Sequence, residues 1–193
     1  MNLALFFLPS LLMLGHKSLT EKNPQVKIDT SLGVIVVEID IEHAPATATN
    51  FLRYVDAKRY SGGRFHRTVT MQNQPDKVIK IEVIQASVNS AYEKEDFPAI
   101  KLERTSVTGI HHLDGTISMA RDGADTATSD FFICIGNQPE LDFGGARNPD
   151  GQGFAAFGRV KSGMDIVRKI QASHAEAQTL KPPIDIRSIT RIP

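Results

Sequence analysis

The sequence predicts a mainly β domain, either a sandwich or a barrel, whose open ends are covered by helices. Many short segments are rich in β-branched and aromatic residues and are bounded by turn residues, which is typical of strands. Only two segments, residues 43–60 and 162–173, have the apolar spacing of a helix. The long separation of these helices along the chain argues against repeated strand–helix–strand units.

The first half of the chain is expected to contain strands and one helix. Residues 26–40 indicate two strands around a Ser-Leu-Gly turn, which is a hairpin pattern. Residues 43–60 predict a helix because apolar side chains recur on one face and Pro45 suits a first turn. Two further strands are predicted at residues 63–69 and 78–88, with a polar loop between them.

The second half of the chain alternates strands with long loops. Residues 90–115 are irregular and polar, with one short element expected near residues 97–106, and residues 142–153 form a glycine-rich loop. The helix predicted at residues 162–173 has the pattern of a capping box, with Ser162 before it and Asp165 three positions later. Strands are predicted at residues 115–120, 130–136, 154–160 and 184–192.

Length and charge indicate one domain without a nucleic-acid partner. A chain of 193 residues suits a single domain with a sizeable core. The 22 basic and 22 acidic residues leave a formal net charge of zero, so no basic surface for nucleic acid is expected. The single cysteine, Cys134, excludes an internal disulfide, and its strand context predicts a small buried apolar side chain.

The N-terminal segment predicts export. Residues 3–14 form the only long apolar run, which is shorter than the roughly 20 residues needed to span a bilayer. We predict a signal peptide at residues 1–20, a linker at 21–25 and the folded domain at 26–193, with no membrane integration and a periplasmic or secreted location. No basic residue precedes the run and no A-x-A site follows it. A cytoplasmic protein with a buried N-terminal element is therefore the alternative.

The strand at residues 63–69 has an unusual arrangement of charge. Regular alternation would place Phe65, Arg67 and Val69 on one face and put the side chain of His66 on the other. A permanent charge between two apolar side chains has two interpretations. The aliphatic stem of Arg67 covers apolar surface while its head reaches water, or its guanidinium serves an apolar site.

Two other strands place polar and aromatic side chains on shared faces. Val83 and Gln85 lie on the same face of one strand. In residues 130–136, aromatic side chains point to both faces, with Phe131 on one and Phe132 on the other. A strand that is aromatic on both faces is expected to be covered on both sides, by the core on one side and by a concave apolar site on the other.

No pattern predicts a metal or a cofactor. His111 and His112 are adjacent without a supporting His or Cys cluster, so we expect a loop with exposed histidines. The acidic residues within 121–130 lack the order and the distal Glu of a calcium loop. Ser129 and Asp130 are expected to be turn residues, because no histidine accompanies them in a recognisable order.

Several ordered motifs resemble the cyclophilins, a family of peptidyl-prolyl cis-trans isomerases. They are "APATATNFLRYVDAKRYSGGRFHRTV", "IEVIQAS", "GTISMAR", "TSDFFICIG" and "FAAFGRVKSGMDIVRKI", and the resemblance runs from about Val26 to the C-terminus. It implies a closed antiparallel eight-stranded β-barrel capped by two α-helices. It also implies a monomer without cofactor that rotates X-Pro bonds of unfolded or loop segments and so assists folding.

The resemblance also implies roles for individual residues. Arg67 matches the catalytic arginine and Gln85 the glutamine that orients it. Six further residues match substrate-binding positions. They are Phe132 and Leu141 at the floor and wall of the proline pocket, Val83 where methionine is usual, Phe154 where a pocket-edge histidine is usual, and Ala120 and Arg121 in the segment whose backbone grips the peptide.

The sequence departs from the family pattern around the expected pocket. The usual phenylalanine before the methionine falls at Glu82, which leaves one hydrophobic wall without a residue. Two loops, at about residues 70–79 and 143–153, are longer than usual, and the first must bulge outward if its flanking strands pair. Acidic residues around the pocket keep open an alternative function, a proline-peptide-binding or chaperone module with little turnover. These residues are Glu82, Asp130 and Glu140.

Overall fold

The computed structural model describes residues 23–193, in which one antiparallel sheet closes on itself. Eight strands follow in the order β1-β2-β7-β5-β6-β4-β3-β9, and pairing of β1 with β9 completes the barrel. The predicted eight-stranded barrel is confirmed, whereas the predicted leader at residues 1–20 lies outside the described residues. The strands are β1 Gln25–Thr30, β2 Gly33–Ile39, β3 Gly63–Val69, β4 Val83–Ser87, β5 Thr116–Met119, β6 Phe131–Cys134, β7 Ala155–Ser162, β9 Thr179–Ile192 and the short β8 Ala175–Glu176, which pairs with β9 alone.

Two predicted helices are confirmed, and a third is added. Helix α1 spans Pro45–Asp56 and α3 spans Met164–Gln171, while the four-residue α2, Thr105–Thr108, lies in a stretch that was predicted to be irregular apart from one short element. No helix within residues 23–193 is both long and apolar enough to cross a membrane. Short 3₁₀ turns lie at Ser90–Tyr92 and Pro139–Leu141.

The predicted capping box of α3 is wrong. The N-cap residue is Gly163, with φ +92°, and no side chain caps the helix. A Cβ atom at this position would lie 2.4 Å from the carbonyl oxygen of Val34. The close approach of β2 and the left-handed backbone therefore both require glycine, and the chain enters the helix one residue after Ser162.

Aromatic side chains fill the interior of the barrel. Phe131 from β6 is fully buried and lies edge-on to the rings of Phe51, Tyr60 and Phe65, at centroid distances of 5.5, 5.4 and 6.0 Å. Phe51 belongs to α1, so this cluster also attaches the helix to the barrel. Such edge-to-face pairs are favourable beyond the area that they bury.

A β-bulge at His66 changes the faces of β3. Phe65 pairs with Ala86, and the next paired residue is Arg67, opposite Gln85, so His66 is the extra residue. Phe65 and Ala86 belong to the interior core, whereas Val69 belongs to a separate apolar cluster on the other face. The prediction that Phe65 and Arg67 share a face is therefore wrong, because the bulge reverses the alternation between them.

The neighbouring strands agree with the predicted faces. Phe131 lies in the interior core and Phe132 in the outer apolar cluster, so β6 is covered on both sides as expected. Strand β4 begins at Val83 rather than at residue 78, because the preceding loop bulges outward. Val69 and Val83 still pair across the base of that loop, as the resemblance requires.

Candidate active site

A cavity of about 430 Å³ lies against the outer face of β3, β4 and β6. Strands from distant parts of the chain and the loops beyond them contribute to its walls, so the site exists only in the folded barrel. The cavity is lined by all eight residues that the sequence assigned to catalysis or substrate binding. These are Arg67, Gln85, Val83, Ala120, Arg121, Phe132, Leu141 and Phe154.

The floor of the cavity is apolar and tightly packed. Val83, Phe132 and Leu141 are at most 5% exposed, and the ring of Phe154 stands edge-on to that of Phe132 at 5.5 Å. Ile81 belongs to the same cluster and lines the cavity, so it supplies the hydrophobic wall that the resemblance left open at Glu82.

The carboxylate of Glu82 forms its hydrogen bond outside the cavity. Its Oε1 accepts a hydrogen bond of 3.1 Å from the side chain of Gln171, and it does not line the cavity. Glu140 also lies outside the cavity lining, with Oε2 accepting from the backbone N–H of Ala146 at 2.8 Å. Of the three acidic residues noted in the sequence, Asp130 alone therefore reaches the cavity.

His112 supports the floor from below, a role that the sequence prediction missed. Its ring is stacked on Phe132, with centroids 6.0 Å apart, and is bonded to Asp142 at 2.6 Å and to Ser118 at 3.0 Å. The prediction of two exposed histidines holds for His111, but it is wrong for His112, whose side chain is fully buried. His112 lies in the loop before β5 rather than in a strand, so no local pattern marked its burial.

Asp142 fixes the position of the His112 ring. Its carboxylate is bonded to both histidine rings and accepts the backbone N–H of His112 at 3.0 Å. Burial raises the pKa of Asp142, but the hydrogen bonds with His112 and His111 outweigh that effect and leave the pKa below its usual value.

Arg67 lies beside the apolar floor with its guanidinium held on two sides. Nη1 donates to Oε1 of Gln85 at 2.9 Å, which agrees with the predicted orienting contact. Nε and Nη2 both donate to Oε1 of Gln178, at 2.9 and 2.6 Å. Gln178 was not predicted, because it follows β8 more than 90 residues after Gln85 and no local pattern marks it.

The environment of Arg67 is partly desolvated and positive. Burial lowers its pKa, and the charge of Arg147 lowers it further. An arginine starts from a pKa so high that it stays protonated in proteins, so the group remains a permanent donor. Because both bracing residues are neutral amides, they orient this donor without neutralising its charge.

Asp130 extends the network behind Gln85. Nε2 of Gln85 donates to Oδ2 of Asp130 at 3.1 Å, so a line of contacts runs from Arg67 through Gln85 to the carboxylate. Burial raises the pKa of Asp130, and the bond from Gln85 and the charge of His66 oppose that rise. Asp130 therefore belongs to the hydrogen-bond network at the edge of the cavity, next to which the sequence had placed it.

The hydrogen bonds of Arg121 hold the loop at the rim of the cavity in place. Nη1 and Nη2 contact the two carboxylate oxygens of Asp150 at 2.7 and 2.9 Å, and Nε donates to the carbonyl of Gly153 at 2.8 Å. Its guanidinium carbon lies 5.0 Å from the ring centroid of Phe154. The bonds from Arg121 are the main cause that lowers the pKa of Asp150 to about 2.

The two long loops meet at the cavity through Arg147. Its Nη1 donates to Oε1 of Gln74 and to the carbonyl of Ile79, both at 2.8 Å. Gln74 is itself buried and bonded to the backbone of its own loop and of Ile81. The loop at residues 143–153 is thus tied to the loop at residues 70–79, a contact that neither loop's composition predicts.

Comparison with known proteins identifies the family. The family model "Cyclophilin type peptidyl-prolyl cis-trans isomerase/CLD" matches residues 25–191. The chain belongs to the cyclophilins. Its activity is the cis–trans isomerisation of peptide bonds that precede proline.

Individual relatives agree with this assignment. A peptidyl-prolyl cis-trans isomerase of Acinetobacter baylyi is 36% identical to this cyclophilin over 149 residues, which are 77% of this chain and 72% of that protein. The isomerase cyp18 of Streptomyces antibioticus is 32% identical over 147 residues, 76% of this chain and 82% of its own. A cyclophilin of Cryptosporidium parvum has the same fold, with a TM-score of 0.72 at 19% identity, over 89% of this chain and 98% of its own.

The charged side chains that line the cavity of this cyclophilin are arginines and carboxylates. Within residues 23–193 no group of three His, Cys, Asp or Glu side chains is placed to hold a metal ion. Among the charged side chains of the cavity, Arg67 is the arginine whose guanidinium is held by the side-chain amides of Gln85 and Gln178.

Proposed function

We propose that the cavity receives the proline ring of an X-Pro segment and that Arg67 is the catalytic donor. The observation that carries the proposal is a guanidinium braced by two neutral amides at the edge of an apolar floor. Val83, Phe132 and Leu141 would contact the ring, with Phe154 covering its edge. The backbone of Ala120 and Arg121 would lie along the peptide.

The proposed chemistry acts on amide resonance. Rotation about a peptide bond has a barrier of about 18–20 kcal/mol, because the nitrogen lone pair is delocalised into the carbonyl. The two isomers of X-Pro differ by only about 0.5–1 kcal/mol but exchange over tens to hundreds of seconds. In the twisted state the nitrogen regains its lone pair, and an N–H of Arg67 donates to it. This contact does not exist in either planar state, so it lowers the barrier selectively.

The apolar surroundings strengthen this donor. Hydrogen bonds from a charged group gain strength where water is excluded and the local dielectric constant is low. Gln85 and Gln178 fix the guanidinium before the substrate arrives, so little reorganisation is needed during rotation. An aspartate or glutamate in either place would hold the group but would oppose its charge.

The proposed substrates are X-Pro segments of unfolded chains and exposed loops, whose isomerisation assists folding. The Cryptosporidium parvum cyclophilin was also studied in the presence of the dipeptide Ala-Pro, which supports a proline-containing ligand for this cavity. The alternative, a binding or chaperone module with little turnover, drew on three acidic residues, and two of them lie outside the cavity. The braced Arg67 favours catalysis.

The test compares Arg67→Ala with the parent in a coupled isomerisation assay on an X-Pro peptide. We expect kcat/KM to fall by about 10²–10³, as for removal of one transition-state donor, while peptide affinity weakens much less. Arg67→Lys should also be impaired, because an ammonium cannot occupy both amide acceptors in the same plane. Arg187→Ala removes an exposed arginine of β9 and serves as the control. Full activity of folded Arg67→Ala would refute the mechanism.

We also propose that residues 1–20 are a signal peptide and residues 21–25 a linker, so that the mature isomerase works in the periplasm or outside the cell. The apolar run at residues 3–14 supports the proposal. Intact-mass spectrometry of the protein from its native host, after cell fractionation, tests it. A cytosolic protein that retains Met1 would show the alternative location.

We further propose that the isomerase acts as a monomer. A single chain supplies both the apolar floor and the braced arginine, so catalysis needs no second copy. Light scattering over a range of protein concentrations, combined with the isomerisation assay, measures this directly. A dimer whose specific activity falls on dilution would contradict it.

A further inference from the structure

We infer that Gln178 is a positioning residue for catalysis, acting through Arg67. This inference rests on the proposed role of Arg67 as the donor. It assigns a task to the turn between β8 and β9, which lies outside the strands and motifs that carry the family resemblance.

The hydrogen bonds of the guanidinium show what Gln178 does. Arginine carries five N–H groups, and three of them are used here, one by Gln85 and two by Gln178. Oε1 of Gln178 bridges Nε and Nη2, which fixes one whole edge of the planar group. The remaining N–H groups, one on Nη1 and one on Nη2, are thereby left for the substrate. Gln85 alone, with a single bond to Nη1, would allow rotation about that contact.

The amide of Gln178 is oriented by a second set of contacts. Its Nε2 donates to the carbonyl of Asn73 at 3.2 Å, so its oxygen is directed toward Arg67. The side-chain amide of Asn73 in turn donates to the carbonyls of Thr68 and Ala177, both at 3.0 Å. The long loop after β3 therefore joins the β8–β9 turn to the strand that carries the arginine.

The backbone at the turn supports a specific placement of Gln178. Ala177 has φ +54°, a left-handed conformation that costs a residue with a side chain roughly 1 kcal/mol or more. The N–H of Thr68 donates to the carbonyl of Gln178 at 2.9 Å, next to the irregular register in which Arg67 pairs with Thr179. An unfavourable turn conformation is thus maintained at the point where the amide meets the guanidinium.

The test is a double-mutant cycle between Gln178→Met and Arg67→Ala, because methionine keeps the length of the side chain and removes its acceptor. In the parent background Gln178→Met should lower kcat/KM by about 10-fold to 10²-fold, as expected for a misplaced catalytic group. The affinity for the X-Pro peptide should change by less than about 3-fold, which is much smaller than the loss in kcat/KM. In the Arg67→Ala background the same change should have almost no further effect on the rate.

Two additional measurements separate positioning from general stability. In ¹⁵N-edited NMR spectra, the Nε–H signal of Arg67 should move and exchange faster with water in Gln178→Met, while backbone signals of the barrel stay in place. Asn73→Ala should cause a smaller rate loss in the same direction, because it removes the side-chain bonds that tie the loop to Thr68 and Ala177 but keeps the backbone carbonyl that accepts from Gln178. Gln171→Met, a glutamine bonded to Glu82 away from the cavity, is the matched control.

The possible outcomes distinguish the two hypotheses. Unchanged turnover in Gln178→Met, or an equal rate loss in both backgrounds, overturns the role of Gln178 and leaves that of Arg67 intact. Full activity of Arg67→Ala overturns the proposed function itself. If Gln178→Met does not fold, the rate and the NMR signal of Asn73→Ala decide the inference.

Discussion

Phe131 and Phe132 are neighbours on β6, and replacing each by alanine tests whether one faces the core of the barrel and the other the cavity. Phe131 is fully buried inside the barrel, against the rings of Phe51, Tyr60 and Phe65. Removal of a buried phenylalanine costs about 3–5 kcal/mol, a range that already contains the lost packing contacts, and the three edge-to-face pairs place Phe131 in its upper half. We therefore expect Phe131→Ala to cost about 4–5 kcal/mol of unfolding free energy.

The effect of Phe132→Ala on stability should be smaller and its effect on function larger. Phe132 is packed against His112 and Phe154, but it also borders the cavity and lacks protein neighbours there. We expect a stability loss of about 2 kcal/mol. Loss of the apolar surface for a proline ring should reduce peptide affinity by about 10-fold or more, since a buried apolar side chain contributes about 1.5–3 kcal/mol.

Thermal unfolding and the isomerisation assay measure both variants. For a domain of this size 1 kcal/mol shifts the Tm by about 2–4 °C, so the losses correspond to about 8–20 °C for Phe131→Ala and about 4–8 °C for Phe132→Ala. Folded Phe131→Ala should keep most of its activity at low temperature. Equal Tm shifts together with equal losses of peptide affinity would refute the assignment of the two faces.

Two further predictions concern titratable groups. Asp142→Asn should make the free energy of unfolding less dependent on pH in acid. The pKa of Asp142 is lower in the folded protein than its unfolded value of 3.8. The carboxylate therefore stabilises the fold above pH 3.8, and this stabilisation is lost as the pH falls through the folded pKa. Urea unfolding between about pH 5 and pH 2 measures this, and parallel curves would contradict it. Burial raises the pKa of the Cys134 thiol, so a disulfide reagent should label it only after unfolding; rapid labelling of the native protein would show that it is accessible.

Much of the barrel could be predicted from local pattern because strands and helices differ in the spacing of apolar residues. The hairpin of β1 and β2, helix α1 with Pro45 in its first turn, and the doubly covered β6 all follow from spacing within a few residues. Helix α2 overlaps the short element expected near residues 97–106, but its type and bounds could not be predicted because four residues are too few to establish a helical period. The start of α3 was misplaced because a tertiary contact with β2 decides it.

The candidate site was predicted less completely, since its parts come from distant positions. The resemblance supplied Arg67, Gln85 and six further residues, all of which line the cavity. Ile81 and His112 became visible only once the loops were placed around the floor. A β-bulge has no strong sequence signal, so strict alternation assigned Phe65 and Arg67 to the same face.

The sequence by itself determined the fold class, the family and eight residues of the cavity lining, because these depend on side-chain type and on order along the chain. Tertiary structure decided which way the arginine points and what holds it. The bulge at His66 turns Arg67 outward, and closure of the barrel brings Gln178 beside it from more than a hundred residues away. Register and barrel closure are properties of paired strands, so they cannot be read from one strand alone.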